Sequence, residues 1–305
     1  CGGTQTVTWT FTDLCGRTIT HVQNITVDPA PEAAFVNPPA DVTLTCDEAQ
    51  NFVVNNLSYT NNESGSCEIS GDVAGTLAGS FDECGGTQTV TWTFTDLCGR
   101  TITHVQNITV DPAPEAAFVN PPADVTLTCD EAQTFVVNNL SYTNGETGSC
   151  EISGDVAGTL AGSFDECGGS QTVTWTFTDL CGRTITHVQT ITIDPAPEAA
   201  FVNPPADVTL TCDEAKNFIV TYLTYTNNET ASCEISGDVP GTLGGTFDEC
   251  GGTLTQTWTY SDACNSLSTT QTITVQPAPP PVFDAVTDIT ITCAEADEIT
   301  PTDLN

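Results

Sequence analysis

The sequence predicts an all-β chain of small two-sheet sandwiches repeated in tandem, and three observations carry that expectation. The stretch CGGTQTVTWTFTDLCGRTITHVQNITVDPAPEAAFVNPPADVTLTCDEAQ fills residues 1–50 and returns unchanged at 84–133. A third copy begins at Cys167 and a looser fourth at Cys250, each displaced by 83 residues. Within every copy, threonines alternate with apolar residues at the two-residue period of a strand with one buried face. Turn residues break these runs at short intervals, and fifteen cysteines are spread among them.

A fixed period is read before anything else because it decides the fold. The repeats fall at 29–111, 112–194 and 195–277. Residues 1–28 are the closing part of a repeat and 278–305 the opening part of another. The chain reads as a window on a longer array.

One repeat justifies the strand assignment. In TQTVTWTFT, Val90, Trp92 and Phe94 share one face, and Thr89, Thr91, Thr93 and Thr95 share the other. That pattern fits a half-buried antiparallel strand. Its tryptophan, repeated as Trp9, Trp92, Trp175 and Trp258, is the expected core anchor. Asp96-Leu97-Cys98-Gly99-Arg100 forms the following turn, with Gly99 free to take positive φ. Thr101 to Val110 returns as the partner strand. Val42-Thr43-Leu44-Thr45 reads as the first strand, ended by Cys46. Phe52-Val53-Val54 with Leu57 and Tyr59 reads as the second, and Cys67 to Leu77 as a third region broken by Gly71 and Gly75. Six or seven short strands in about 83 residues point to an immunoglobulin-like sandwich, with two disulfides per repeat and the whole drawn out as a rod.

The cysteines fall into sets of four: Cys46, Cys67, Cys84 and Cys98; Cys129, Cys150, Cys167 and Cys181; Cys212, Cys233, Cys250 and Cys264. Cys1, Cys15 and Cys293 belong to the two partial repeats. The spacings match no common zinc pattern, and this density points to an oxidising compartment. In a sandwich whose first and last strands run parallel, Cys46 and Cys84 fall at one pole and Cys67 and Cys98 at the other. Cys84 and Cys98 flank a strand about 30 Å long, too far apart to bond. The expected bridges are therefore Cys46–Cys84 and Cys67–Cys98, with the same pairing in every copy. Each would contribute about 3–4 kcal/mol to a domain whose core alone is marginal.

Asp28-Pro29-Ala30-Pro31, Asp111-Pro112-Ala113-Pro114 and Asp194-Pro195-Ala196-Pro197 connect the repeats. Proline at alternate positions favours an extended, stiff connection, so the expected array is a rod of roughly 35–45 Å per repeat.

Four basic residues stand against forty acidic ones, a formal charge of −36. That excludes a nucleic-acid partner and contact with anionic lipid, and no segment reads as membrane-inserting. It fits a soluble extracellular chain able to collect divalent cations. Asp82-Glu83 in FDECGG, together with Asp111, Glu115 and Asp124 at the junction, are the candidate calcium ligands. Asp130-Glu131 is a further acidic pair. His21, His104 and His187 are one position seen three times, replaced by Thr270. Arg17, Arg100 and Arg183 are likewise one position, replaced by Ser266. A strand-surface histidine and a turn arginine paired with a nearby carboxylate account for both. Asn24, Asn56, Asn62, Asn107, Asn139 and Asn228 head N-x-S/T triplets, glycan acceptors in a eukaryotic secreted protein. No nucleophile elbow or phosphate-binding loop occurs, so the expectation is a protein that is not an enzyme.

From the tryptophan strand through TDLCGRTITHVQNITVDPAP, the chain resembles the closing hairpin of HYR-like immunoglobulin-type repeats. Near-identical, cysteine-containing, lysine-poor versions look like the arrays of giant cell-surface proteins of Bacteroidota, among them the SprB-type gliding adhesins exported by the type IX system. The resemblance covers essentially the whole chain on short motifs. It implies display at the bacterial cell surface, adhesion and, for some members, gliding motility. It transfers no catalytic residue. Two functions follow as expectations: a stalk or filament that gives reach and stiffness, or a multivalent array with a weak carbohydrate or protein site on each repeat. In either, the nearest partners are the neighbouring repeats of the same chain.

Overall fold

The computed structural model describes residues 1–283, 285–293 and 295–296. Among the described residues the chain is all-β, with three short α-helices. By contact it divides into two units. One holds 1–123, 136–161 and 172–189, and the other holds 124–135, 162–171 and 190–305. The 83-residue repeats remain periods of the sequence, and the division cuts across the middle one.

In the first unit the alternating runs become the longest strands. Residues 1–28 give one hairpin, β1 (Gly3–Thr12) with β2 (Thr18–Val27). The first whole repeat contains β3 (Ala34–Phe35), β4 (Val42–Leu44), β5 (Leu57–Thr60) and β6 (Ser70–Val73), then β7 (Thr76–Asp82), β8 (Gly85–Thr95) and β9 (Thr101–Val110). Its sheets run β4-β9-β8-β7 and β3-β5-β6. β4 pairs parallel with β9 and the other neighbours pair antiparallel. The threonine face of β8 looks outward, while Val90 and Trp92 are 0% and 3% exposed. Trp92 also donates its indole N–H to the carbonyl of Asn55 at 3.0 Å, which satisfies the one polar atom it brings inside. Leu57, Ile108 and Val110 complete the inner layer.

Repeat 195–277, in the second unit, has the same two sheets built from seven strands. Trp258 is fully buried and bonds the Thr221 carbonyl at 2.9 Å. Here two neighbouring inward positions exchange chemistry: Gln88 and Val90 of the first repeat become Leu254 and Gln256, and all four are buried. Gln256 is held by the Thr221 carbonyl at 3.2 Å.

Three local expectations are corrected. Cys46 does not end a strand. It opens a five-residue helix, α1 (Cys46–Gln50), because Thr45-Cys46-Asp47-Glu48 is a capping box. The Thr45 hydroxyl accepts the Glu48 N–H at 3.2 Å, and the Glu48 carboxylate accepts the Thr45 N–H at 2.9 Å. The second strand begins at Leu57, and Phe52 to Val54 run without a ladder, Phe52 and Val54 packing against the core from the side. Trp9 is 51% exposed, because the β1–β2 hairpin has no second sheet to cover it within this sequence.

One glycine shows why FDECGG recurs. Asp82 pairs with Gly85 across a two-residue hairpin loop. Gly85 has φ +84°, and a Cβ there would lie 2.4 Å from the Val110 carbonyl oxygen. Only glycine lets β8 start so close to the end of β9.

Candidate functional site at the repeat junction

The cysteines and the turn arginine singled out by the sequence meet at the junction between one repeat and the next. Cys46 Sγ lies 3.6 Å from the Asp82 carbonyl, so Cys46 and Cys84 share one end of the repeat. Cys67 and Cys98 line a single groove of about 330 Å³ at another end, with Tyr59, Phe94 and Asp96.

The disulfides do not close these pairs within a repeat. Cys46 bonds Cys150 and Cys84 bonds Cys181, with Cα–Cα separations of 5.8 and 5.3 Å. In the same manner Cys1 bonds Cys98, Cys129 bonds Cys233 and Cys167 bonds Cys264. The expected Cys46–Cys84 and Cys67–Cys98 bridges, and their equivalents, are thereby corrected: every bond joins one repeat to the next. The physical reason is that the two cysteines at one end of a repeat meet the two at the facing end of its successor. Cys67 and Cys150 are the same position one period apart, so spacing alone cannot choose between them. Of the twelve cysteines expected to be bridged, Cys67, Cys212 and Cys250 have no partner in the structure, as is also true of Cys15 and Cys293. Cys67 is exposed, whereas Cys150 and Cys233 are fully buried at the equivalent position. Contact with the preceding repeat makes that difference.

Each bond is framed by hydrogen bonds that hold the facing ends in register. Gln50, at the end of α1, donates to the Thr147 carbonyl at 3.0 Å and to Cys150 Sγ at 2.9 Å, and its side-chain oxygen accepts the Ser149 N–H at 3.1 Å. Gln133 repeats the contact with Cys233 Sγ at 2.9 Å. The capping box thus fixes a helix whose first residue is the bridged cysteine and whose last grips the neighbour.

The prolines of the linker leave its alanine as the one residue between them with a free N–H. Ala113 is 1% exposed and donates that N–H to the Glu83 carbonyl at 2.9 Å. Its own carbonyl accepts the guanidinium of Arg183, from the closing turn of the repeat that Ala113 opens, at 2.7 Å. Arg100 reaches the Ala30 carbonyl in the same way at 2.8 Å. Arg183 and Arg100 are held in turn by Asp179 and Asp96. Burial opposes the charge on Asp96, but the backbone N–H and guanidinium of Arg100 and the N–H of Cys98 outweigh it and keep the carboxyl below its ordinary range. Asp179 is depressed by the same balance. The carboxylate therefore orders both the arginine and the bridged cysteine of one turn. Where Ser266 replaces the arginine, Asp262 is instead bonded by the Tyr260 hydroxyl and by Asn265, and its carboxyl is lowered to about 2.

Apolar packing is continuous across this junction. One buried cluster in the first unit contains Ala49, Ile108 and Val110 with Ala113, Ala116, Cys150 and Ile152. His104, half-buried, stacks on Trp92 with ring centroids 5.8 Å apart, and its Nε2 lies 2.8 Å from the Pro39 carbonyl. His187 repeats this against Trp175 and Pro122.

The candidate calcium ligands do not gather. Asp82 accepts the Cys84 N–H at 2.9 Å, Asp124 accepts the Thr190 N–H at 2.7 Å, and Glu83 contributes its backbone carbonyl to Ala113. The N–H of Asp111 bonds the Leu44 carbonyl, and Glu115 is exposed. Among the described residues, one set of three candidate ligand atoms lies within 4.8 Å, that of Cys167, Asp262 and Cys264, and its two cysteines are bonded to each other. Sequence reasoning missed Gln50, Ala113 and the capping pair Thr45 and Glu48. The T-x-x-E signal was available for the last pair and the flanking prolines marked Ala113, while nothing local marks Gln50.

Fold and junction together define an array of β-sandwich repeats covalently cross-linked from each repeat to the next. No family model and no curated protein matches the chain. Among solved structures it is similar to the extracellular cadherin domains 3–6 of protocadherin gamma B2, at 8% identity and a TM-score of 0.32, covering 91% of this chain and 84% of that one. It is also similar to a Ca2+-stabilised adhesin that helps an Antarctic bacterium reach out and bind ice, at 15% identity and 0.22, covering 90% and 82%. Drosophila N-cadherin EC1-4 gives 9% and 0.22, covering 90% and 83%. Among the described residues no helix is long and apolar enough to cross a membrane.

Proposed function

We propose that the chain is a stalk segment of a large bacterial cell-surface adhesin, working outside the cell to give reach and stiffness for attachment. The observation that carries this reading is that the recurring cysteine, arginine, aspartate and linker alanine side chains and backbones are used to fasten one repeat to the next. A protein selected for a single active site needs one special position, and here the positions recur with the period. The acidic surface keeps adjacent chains apart and soluble. Disulfides of this density fit an extracellular setting. The resemblance of the closing hairpin to HYR-like repeats supports a surface adhesin exported by the type IX system, with gliding as the activity of the assembled filament.

The test is binding. The stalk reading expects this chain to show no affinity for surface polysaccharides or host proteins on a glycan and protein array, with adhesion mapping elsewhere in the assembled protein. Millimolar binding per repeat that rises steeply with repeat number would instead favour the multivalent array. A hydrolase activity abolished by Asp82→Ala would overturn both. Calcium enters this reading through Asp82, Glu83, Asp111, Glu115 and Asp124. Calorimetry with calcium on the chain and on its Asp111→Ala variant decides whether these carboxylates bind it.

A further inference from the structure

The order in which the disulfides connect has a mechanical consequence that exceeds the stalk reading and does not depend on it. Cys84 and Cys98 lie at the two ends of β8, fourteen residues apart. Cys98 is bonded backward to Cys1 and Cys84 forward to Cys181. Cys181 in turn is fourteen residues from Cys167, which is bonded to Cys264. A covalent route from Cys1 to Cys264 thus passes through three disulfides and two fourteen-residue segments, leaving the remaining residues as side loops. A second route runs alongside it through Cys46–Cys150 and Cys129–Cys233, joined by the twenty-one residues from Cys129 to Cys150.

We propose that the array is a covalent tether of fixed length, in which tension is carried along the tryptophan strands and the disulfides between them rather than by the sandwich fold. A fully extended residue spans about 3.3–3.6 Å, so fourteen residues and one bridge limit each repeat to about 55 Å, against about 290 Å for a free 83-residue chain. Eleven of those fourteen residues already form extended strand, so little slack remains. Hydrogen bonds and packing can fail under load while the end-to-end length barely changes. When the load falls, every side loop is still tied at both ends and refolds in place. The two routes are redundant: loss of one bond transfers the load to the other.

Single-molecule pulling of the full 305-residue chain from its two ends reads this directly. The oxidised chain should reach a contour length of about 250 Å and stop, and the fully reduced chain about 1,050 Å. Cys84→Ser combined with Cys181→Ser should lengthen the oxidised contour by only about 110 Å, because the route through Cys129–Cys233 takes over. An oxidised contour of about 650–700 Å, the value for bridges closed within each repeat, would overturn the proposal. So would a double variant that extends as far as the reduced chain. Neither result depends on what the parent protein adheres to, so this proposal and the stalk reading fail separately.

Discussion

The guanidinium of Arg183 donates to the carbonyl of Ala113 at 2.7 Å, across seventy residues of sequence, while the N–H of the same alanine is held by Glu83. One linker residue is thereby bonded to the repeat before it and to the closing turn of the repeat it opens. Arg183→Ala should lower the melting temperature by about 2–4 °C, the scale of one charge-assisted bond in a chain of this size. Arg183→Lys should recover little of it, since an ammonium cannot reach Asp179 and Ala113 as one planar fork. Differential scanning calorimetry of the oxidised chain measures both.

Acid should loosen the same contact. The carboxyls of Asp96 and Asp179 lie below their ordinary value of 3.8 in the fold. Groups depressed on folding stabilise fully above their unfolded value and lose that contribution as pH falls through the folded one. Stability is therefore expected to hold down to about pH 4 and to decline below it, more steeply in the parent chain than in Asp179→Asn. Urea titrations at pH 7, 4 and 2.5 would show the opposite trend if these carboxylates were unpaired.

Gly85→Ala should be among the most damaging small substitutions. It places a Cβ 2.4 Å from a backbone oxygen at a φ of +84°. Strain of this kind costs about 1–3 kcal/mol before the clash with β9 is added. Gly99→Ala, at φ +77° with nothing within 4 Å, should cost less. The difference between their urea midpoints separates conformational strain from steric overlap.

Trp92→Ala should destabilise by about 3–5 kcal/mol, as expected for an aromatic removed from a packed core. Trp92→Phe should cost less but leave the Asn55 carbonyl without its donor. The same changes at Trp9, half exposed in this chain, should be nearly silent.

Peptide mapping of the oxidised chain should recover Cys46 with Cys150 and Cys84 with Cys181. Chain-entropy arguments assign about 4–5 kcal/mol to a single bond closing a loop of some 100 residues, so mild reduction should lower stability sharply. Recovery of Cys46 with Cys84 would refute the inter-repeat ladder.

Much of the fold was legible because it rests on local chemistry. The alternation of Thr89 to Thr95 requires a strand with Val90 and Trp92 on one face, and Asp96 to Arg100 requires a turn. The capping box at Thr45 was equally local and was overlooked, because a five-residue helix carries too few apolar residues to show a period. Phe52 to Val54 misled for the opposite reason: apolar residues pack from an extended loop as readily as from a strand.

The sequence by itself determined the period, the sandwich strands, the tryptophan core and the grouping of cysteines into sets of four. Tertiary structure alone decided which cysteine meets which. In a chain whose neighbours are near-identical, Cys67 and Cys150 have nearly the same surroundings in sequence, and any argument from spacing applies to both. The choice is made by which ends of two folded repeats face each other, and that depends on contacts across the junction, from Gln50 to Thr147 and from Ala113 to Glu83, that no single repeat contains.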